Sequence, residues 1–105
     1  GKTHPVNEQF NPDFFILLKK TKDILVVEIK QDGDGDSNRN KAKFPDGKHH
    51  FKRLNEELAK AGEPWKYYFY FLSPADYPAF FDQIRAKAYS GWNSGLMAEL
   101  VSADS

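Results

Sequence analysis

The amino-acid sequence predicts a small α/β domain in which helices flank a mixed sheet. Two apolar runs, at residues 10–18 and 24–30, are separated by a short lysine-rich turn, and a third, aromatic run covers residues 65–72. Apolar residues recur at helical spacing on either side of that third run. The predicted order of elements is therefore β, β, α, β, α, with the first two strands paired antiparallel and the third in the same sheet.

Composition limits the functions open to this chain of 105 residues. Apolar residues make up 40% of it and charged residues 29%, which is enough to form a packed core. The formal net charge is zero, so attraction to nucleic acid must come from local clusters of basic side chains. The lack of cysteine excludes a disulfide framework, a thiol nucleophile and a cysteine-based zinc site. No membrane-spanning run or signal peptide is visible, so we expect a soluble cytoplasmic protein without a membrane partner.

The two N-terminal strands are expected to form a β-hairpin. Pro12 lies near the beginning of the first strand, where a proline is tolerated. The turn spans roughly residues 19–23, and the second strand is rich in β-branched residues. If the turn centres on Lys20 and Thr21, Asp13 lies directly opposite Glu28.

A long loop and a helix are expected between the hairpin and the aromatic strand. Glycine and Asx residues dominate residues 31–46, which is typical of a loop. The helix is predicted to begin at about Gly47, after Asp46 as N-cap, and to end at about Ala61, before Gly62 at the C′ position. Its apolar stripe consists of Phe51, Leu54, Leu58 and Ala61.

Two further helices are expected after the aromatic strand. That strand is apolar enough to be covered on both faces, although base stacking is an alternative use of its rings. Ser73, Pro74 and Asp76 are typical of a helix start, and this helix is predicted to continue to about Tyr89. Its apolar face comprises Tyr77, Phe80, Phe81, Ile84 and Ala88. A short third helix is predicted at residues 93–100.

Three charged residues stand in the apolar strands of the hairpin and are the candidates for chemistry. Asp13 lies near the start of the first strand, and side-chain alternation places Glu28 and Lys30 on one face of the second. Two neighbouring carboxylates repel each other, and a divalent cation between them removes the repulsion. Carboxylate oxygens suit Mg²⁺ or Mn²⁺, which polarise a phosphate and lower the pKa of bound water. A nearby ammonium can stabilise the charge of a pentavalent phosphorane.

These three residues therefore predict a metal-dependent phosphodiester hydrolase in which Asp13 and Glu28 hold the metal and Lys30 supports the attacking water. The structural alternative is an exposed ion pair between Glu28 and Lys30 on an edge strand, with Asp13 as a residue at the entry to the strand. A purely structural domain would leave Asp13 and Glu28 apart in space.

The hairpin also resembles a known family. Pro12-Asp13 followed by Glu28-Ile29-Lys30 is similar to the signature of the PD-(D/E)xK nuclease superfamily. Asn-Pro-Asp-Phe-Phe-Ile and Ile-Leu-Val-Val-Glu-Ile-Lys resemble the nuclease domains of helicase-like restriction subunits, especially those of type III enzymes. The similarity covers about residues 10–72. It implies a restriction-endonuclease-like fold, metal ligation by Asp13, Glu28 and the backbone carbonyl of Ile29, and a catalytic role for Lys30.

The same resemblance implies a biological setting. The activity would be a Mg²⁺- or Mn²⁺-dependent cleavage of double-stranded DNA in a restriction-modification system. A helicase motor in the same full-length chain and a methyltransferase or specificity subunit would be its partners. The core of the superfamily begins with a helix and a strand before the Pro-Asp strand, for which this chain has little room. We therefore expect a domain excised from a longer chain.

Basic residues that follow the second strand are the candidates for DNA contact. They are Arg39, Lys41, Lys43, Lys48, Lys52 and Arg53. Lys41 and Lys43 come first, because they lie on the loop expected to return towards the hairpin, and Gln31 is a further candidate beside the site. A solvated helix face is the alternative for each lysine. For the whole domain, the alternative function is a nuclease-like module that binds DNA or a protein without cutting.

Overall fold

A three-stranded mixed sheet forms the centre of the domain. The computed structural model describes residues 12–30 and 38–103, with side chains described in 12–30 and 43–100. Its strands are β1 (Phe14–Leu18), β2 (Asp23–Ile29) and β3 (Lys66–Leu72). β2 lies between the other two, antiparallel to β1 and parallel to β3. The predicted hairpin and the placement of the third strand in the same sheet are therefore confirmed.

In the part of the chain that the structure describes, three α-helices pack on the sheet. They are α1 (Asn38–Lys60), α2 (Tyr77–Arg85) and α3 (Gly95–Ala103), and a 3₁₀ turn (Pro74–Asp76) leads into α2. Because α1 connects two parallel strands, β2, α1 and β3 form a βαβ unit. In the described part of the chain, these helices lack the combination of length and apolar composition needed to cross a bilayer.

The hairpin has the register predicted from its turn. Phe14 pairs with Val27 and Leu18 with Asp23, which is the predicted register, but regular pairing stops at Phe14 and does not include Asp13. Residues 19–22 form the turn, and Lys22 adopts a positive φ of 64°. The strand begins at Phe14 rather than at residue 10, and residues 10 and 11 lie outside the described ranges.

The aromatic strand β3 is the core strand that the sequence predicts. Phe69 and Phe71 point towards α1 and contact Phe44, with ring centroids 6.3 and 5.3 Å apart respectively. On the opposite face, Tyr70 contacts Phe80 of α2 and Trp92. Both faces are therefore covered, and the rings from Phe69 to Phe71 are buried in the core rather than presented to nucleic-acid bases.

The first helix begins nine residues earlier than predicted. Residues 38–46 belong to α1 rather than to a loop, so Pro45 lies inside the helix and Asp46 is not an N-cap. A proline in a helix costs about 3 kcal/mol, because its missing N–H breaks one backbone bond. Burial of Phe44 against β3 offsets this by about 1.5–3 kcal/mol. Burial of the Phe44 ring thus helps to keep the helix continuous through Pro45.

The end of α1 agrees with the prediction. Gly62 has a φ of +78°, the left-handed conformation expected at the C′ position. Its N–H donates to the carbonyl of Ala59 (3.1 Å), and the N–H of Glu63 donates to that of Leu58 (2.9 Å). This is the bonding pattern of a Schellman motif, which satisfies carbonyls that the end of a helix leaves free.

The second helix ends at Arg85 rather than near Tyr89. The chain leaves the helix at Lys87, whose φ is 58°, and Tyr89 packs against the sheet instead. The carbonyl of Tyr89 accepts a hydrogen bond from the Tyr70 hydroxyl (2.7 Å), and its own hydroxyl donates to Asp23. Burial raises the pKa of the Tyr70 hydroxyl above its usual value. Phe81, predicted on the apolar face, is 41% exposed.

Side chains occupy part of the outer edge of β3. In a parallel pair, alternate residues turn their backbone groups away from the neighbouring strand, and here these are Tyr67, Phe69 and Phe71. Asn55 of α1 donates to the carbonyl of Tyr67 (2.9 Å) and accepts from its N–H (2.7 Å). Ser94 donates its hydroxyl proton to the carbonyl of Phe71 (2.6 Å). Helix α1 and the start of α3 thus close this edge at two positions.

We expect Ser94→Ala to lower the free energy of unfolding by about 1–3 kcal/mol. Ser94 is fully buried, and its hydroxyl both donates to Phe71 and accepts from the N–H of Met97 (3.0 Å) as the cap of α3. Urea denaturation measures the loss. Ser90→Ala is the matched control, because Ser90 is exposed and its change should stay within about 0.5 kcal/mol. Equal stabilities of the two variants would contradict the capping role.

Candidate functional site

The carboxylate of Glu28 is buried in the central strand. Glu28 is only 3% exposed, because β2 lies between β1 and β3 and α1 covers this face. Its Oε2 forms a salt bridge with Nζ of Lys30 (2.9 Å) and accepts a hydrogen bond from Nζ of Lys43 (3.0 Å). Its Oε1 is buried and has no hydrogen-bond partner among the described residues. The alternative of an exposed ion pair on an edge strand does not match this arrangement.

Asp13 lies at the same end of the hairpin. Its Oδ2 accepts the backbone N–H of Ile29 (2.6 Å), and its own N–H donates to the carbonyl of Val27 (2.8 Å). Because Val27 is already paired with Phe14, two residues of one strand oppose one of the other, as in a β-bulge. The bulge turns the Asp13 carboxylate towards the peptide that joins Glu28 and Ile29. Asp13 itself is exposed, so this side of the site is open to solvent.

Lys30 follows the end of β2 and lies over an aromatic surface. Its Nζ is 5.3 Å from the ring centroid of Phe71, and only 17% of its side chain is exposed. Phe71 in turn contacts Phe44 of α1, so the ion pair of Lys30 and Glu28 lies beside buried aromatic rings. Ion pairs in such partly desolvated surroundings are stronger than on an open surface. The predicted proximity of Glu28 and Lys30 is therefore present, with a direct contact between them.

Lys43 occupies a different place from the one predicted. It lies in α1 rather than on a loop, and its ammonium contacts Glu28 instead of extending freely towards a DNA backbone. Local signals do not predict this contact, because Pro45 and Asp46 favour a helix start after Lys43. Lys41 has its backbone in α1, but its side chain lies outside the described part, and Gln31 lies in the undescribed range 31–37.

The remaining basic candidates lie further along α1. Lys48, Lys52 and Arg53 are exposed, and Lys48 lies 5.4 Å from the ring centroid of Phe44. Arg39 has no described side chain. The exposed lysines are thus on the helix that also carries Lys43, and they remain candidates for phosphate contact.

The donors at this end of the hairpin are suited to a hard divalent cation. Glu28 Oε1 is a buried oxygen without a described partner, and Asp13 supplies a second carboxylate. Ile29, whose carbonyl is the third ligand predicted, donates its N–H to Asp13. In residues 12–30 and 38–103, no group of three or more His, Cys, Asp or Glu side chains could hold a metal. A cation here would need backbone, water or substrate oxygens to complete its coordination.

The comparisons with known proteins assign no family to the chain. No family model, curated protein or solved structure matches the chain. The candidate site therefore rests on the chemistry and placement of Asp13, Glu28, Lys30 and Lys43 in this fold.

Proposed function

We propose that this domain is a divalent-metal-dependent endonuclease that hydrolyses phosphodiester bonds of double-stranded DNA. One observation carries the proposal: Glu28 is a buried carboxylate with one oxygen held by lysines and the other without a described partner. A buried polar atom without a partner is costly in a native structure, so its presence calls for an explanation such as a bound ion. A Mg²⁺ or Mn²⁺ ion is the ligand that such an oxygen, next to Asp13, suits best.

Each residue of the site has a role in this chemistry. The cation would polarise the scissile phosphate and lower the pKa of the attacking water. Asp13 and Glu28 hold negative charge at the end of β2, and the Ile29 carbonyl supplies a third oxygen. Lys30, fixed by Glu28 and the ring of Phe71, places a positive charge where the phosphorane develops and helps to orient the water. The Ile29 N–H keeps the Asp13 carboxylate in place.

The wider assignment follows from the resemblance of residues 10–72 to PD-(D/E)xK nucleases. A mixed sheet flanked by helices, with the acidic residues at one end of a hairpin, supports a restriction-endonuclease-like fold. In that setting the domain acts in restriction-modification, beside a helicase motor and a methyltransferase or specificity subunit. The cytoplasm is the compartment in which such a system meets its DNA.

The proposal is tested by nicking of supercoiled plasmid DNA with Mg²⁺ or Mn²⁺, with EDTA in parallel. We expect nicking that EDTA abolishes and that Asp13→Asn reduces by about 10²-fold or more, since one anionic metal ligand is lost. Asp46→Asn is the matched control, because Asp46 is exposed on α1 and outside the site. Equal nicking by the wild type and Asp13→Asn, or nicking that survives EDTA, would contradict the proposal.

A second candidate function is a nuclease-like module that binds DNA or a protein without cutting. One observation favours it: Lys30 and Lys43 balance the charges of Glu28 and Asp13, so the four side chains are neutral together without a metal. This alternative predicts retardation of DNA in a gel without cleavage. Binding should weaken with salt and with Lys48→Ala combined with Lys52→Ala, two exposed lysines of α1.

A further inference from the structure

Lys43 gives the site one positive charge more than the proposed chemistry requires. The four charged side chains at the end of the hairpin are Asp13, Glu28, Lys30 and Lys43. Two are formally negative and two positive, so their sum is zero. A neutral cluster attracts a dication only weakly, and each ammonium close to the cation repels it directly.

The two oxygens of Glu28 are used differently. Oε2 pairs with both ammonium groups, with the Nζ atoms of Lys30 and Lys43 at 2.9 and 3.0 Å. Oε1 receives no described donor. A cation bound at Oε1 would therefore lie next to two ammonium groups that share the neighbouring oxygen. Metal binding is thus opposed by the same contacts that stabilise Glu28 before the metal arrives.

Of the two lysines, Lys43 is the one that is free to leave. The Lys30 ammonium also lies over the Phe71 ring, whereas among the described residues the Lys43 ammonium contacts Glu28 alone. The two side chains are similarly buried, at 17% exposed for Lys30 and 15% for Lys43, so the contact with the ring is what distinguishes them. Four methylene groups allow the Lys43 ammonium to move from one partner to another. An incoming phosphodiester supplies a negative charge that can take the place of Glu28 as its partner.

We propose that Lys43 is an exchangeable counter-ion: it balances Glu28 in the metal-free protein and moves to a DNA phosphate when the cation binds. This inference rests on the proposed function and deepens it. Its consequence is cooperative binding, because DNA removes the charge that repels the cation, and the cation releases the lysine that binds DNA. By linkage, each ligand must raise the affinity for the other by the same factor.

The test measures Mn²⁺ affinity by calorimetry, without any cleavage step, in the absence and presence of a short phosphorothioate duplex. For the wild type we expect the duplex to raise Mn²⁺ affinity about tenfold. Lys43→Met should bind Mn²⁺ about tenfold more tightly without DNA, and the duplex should then add less than about threefold. Lys43→Arg, which keeps the charge, should behave as the wild type does. Lys43→Gln serves as the neutral variant if the methionine impairs folding.

Two controls separate this inference from the proposed function. Lys60→Met removes an exposed lysine of the same helix, whose side chain is 76% exposed, and should leave Mn²⁺ affinity without DNA unchanged. If wild type and Glu28→Gln bind Mn²⁺ equally, the assignment of the metal site is wrong, and the role of Lys43 is wrong as well. If Glu28→Gln loses Mn²⁺ binding while Lys43→Met and Lys43→Gln bind it no more tightly than the wild type, the inference alone is overturned.

Discussion

Glu28→Gln is expected to reduce DNA cleavage by about 10³-fold or more, through loss of roughly 4 kcal/mol of transition-state stabilisation. The amide keeps the size of the side chain and one oxygen for Lys30 and Lys43, but it removes the negative charge that a dication requires. Because Glu28 is the buried carboxylate of the site, no water-exposed acid can replace it from the same position. Single-turnover nicking in Mn²⁺ measures the effect.

The control for this variant is the same substitution on an exposed part of α1. Glu57→Gln removes a carboxylate whose side chain is 71% exposed, and cleavage should be unchanged. Circular dichroism should show that both variants are folded, so that lost activity reports lost chemistry. If Glu28→Gln cleaved DNA at the wild-type rate while folded, the metal site would be misplaced.

Phe44→Ala is expected to lower the free energy of unfolding by about 3–5 kcal/mol. Phe44 is 2% exposed, and its ring contacts Phe69 and Phe71 from the first half of α1. The loss is a large part of the roughly 5–15 kcal/mol that stabilises a typical domain. It should also loosen the segment of α1 next to Pro45, because burial of this ring holds that segment on the sheet. Urea denaturation gives the change from the transition midpoint at constant slope.

Phe81→Ala is the matched control, since Phe81 is 41% exposed on α2. Phe81→Ala should lower the free energy of unfolding by less than about 1 kcal/mol, because little of the area of this ring leaves water when the protein folds. A similar cost for both substitutions would mean that α1 is held on the sheet by contacts other than Phe44.

The hairpin could be predicted from the sequence because its signals are local and agree with one another. Alternation along β2 separates Glu28 from the core residues Val27 and Ile29, and the turn position alone fixes the register. The same local logic located Gly62, where a positive φ is needed, and the helix that carries Leu96 and Met97. Such features depend on neighbours within a few residues along the chain.

The start of α1 could not be predicted in this way, because a tertiary contact decides it. Pro45 and Asp46 locally favour a helix start, but Phe44 gains its burial from β3, more than twenty residues later in the chain. The end of α2 is similar, since Tyr89 leaves the helical path to reach Tyr70 and Asp23. In both cases one buried aromatic ring outweighs the local propensity.

The candidate site likewise contains one contact that depends on local sequence and one that depends on tertiary structure. Glu28 and Lys30 are two residues apart on a strand, so their proximity follows from the sequence alone. The contact between Lys43 and Glu28 depends on where α1 begins and on how it crosses β2, so local signals in the sequence do not predict it.

The side chains that occupy the outer edge of β3 also decide where this sheet can grow. A foreign strand laid along β3 would meet Asn55 at Tyr67 and Ser94 at Phe71, which leaves only Phe69 between them for pairing. Aggregation through sheet edges needs a longer uninterrupted row of backbone groups. On the other side of the sheet, β1 carries Phe15 and Leu17, which are 55% and 54% exposed. Among the described residues, β1 is therefore the edge with the longer run for an added strand, from a neighbouring segment or a second molecule, next to the strand end that carries Asp13.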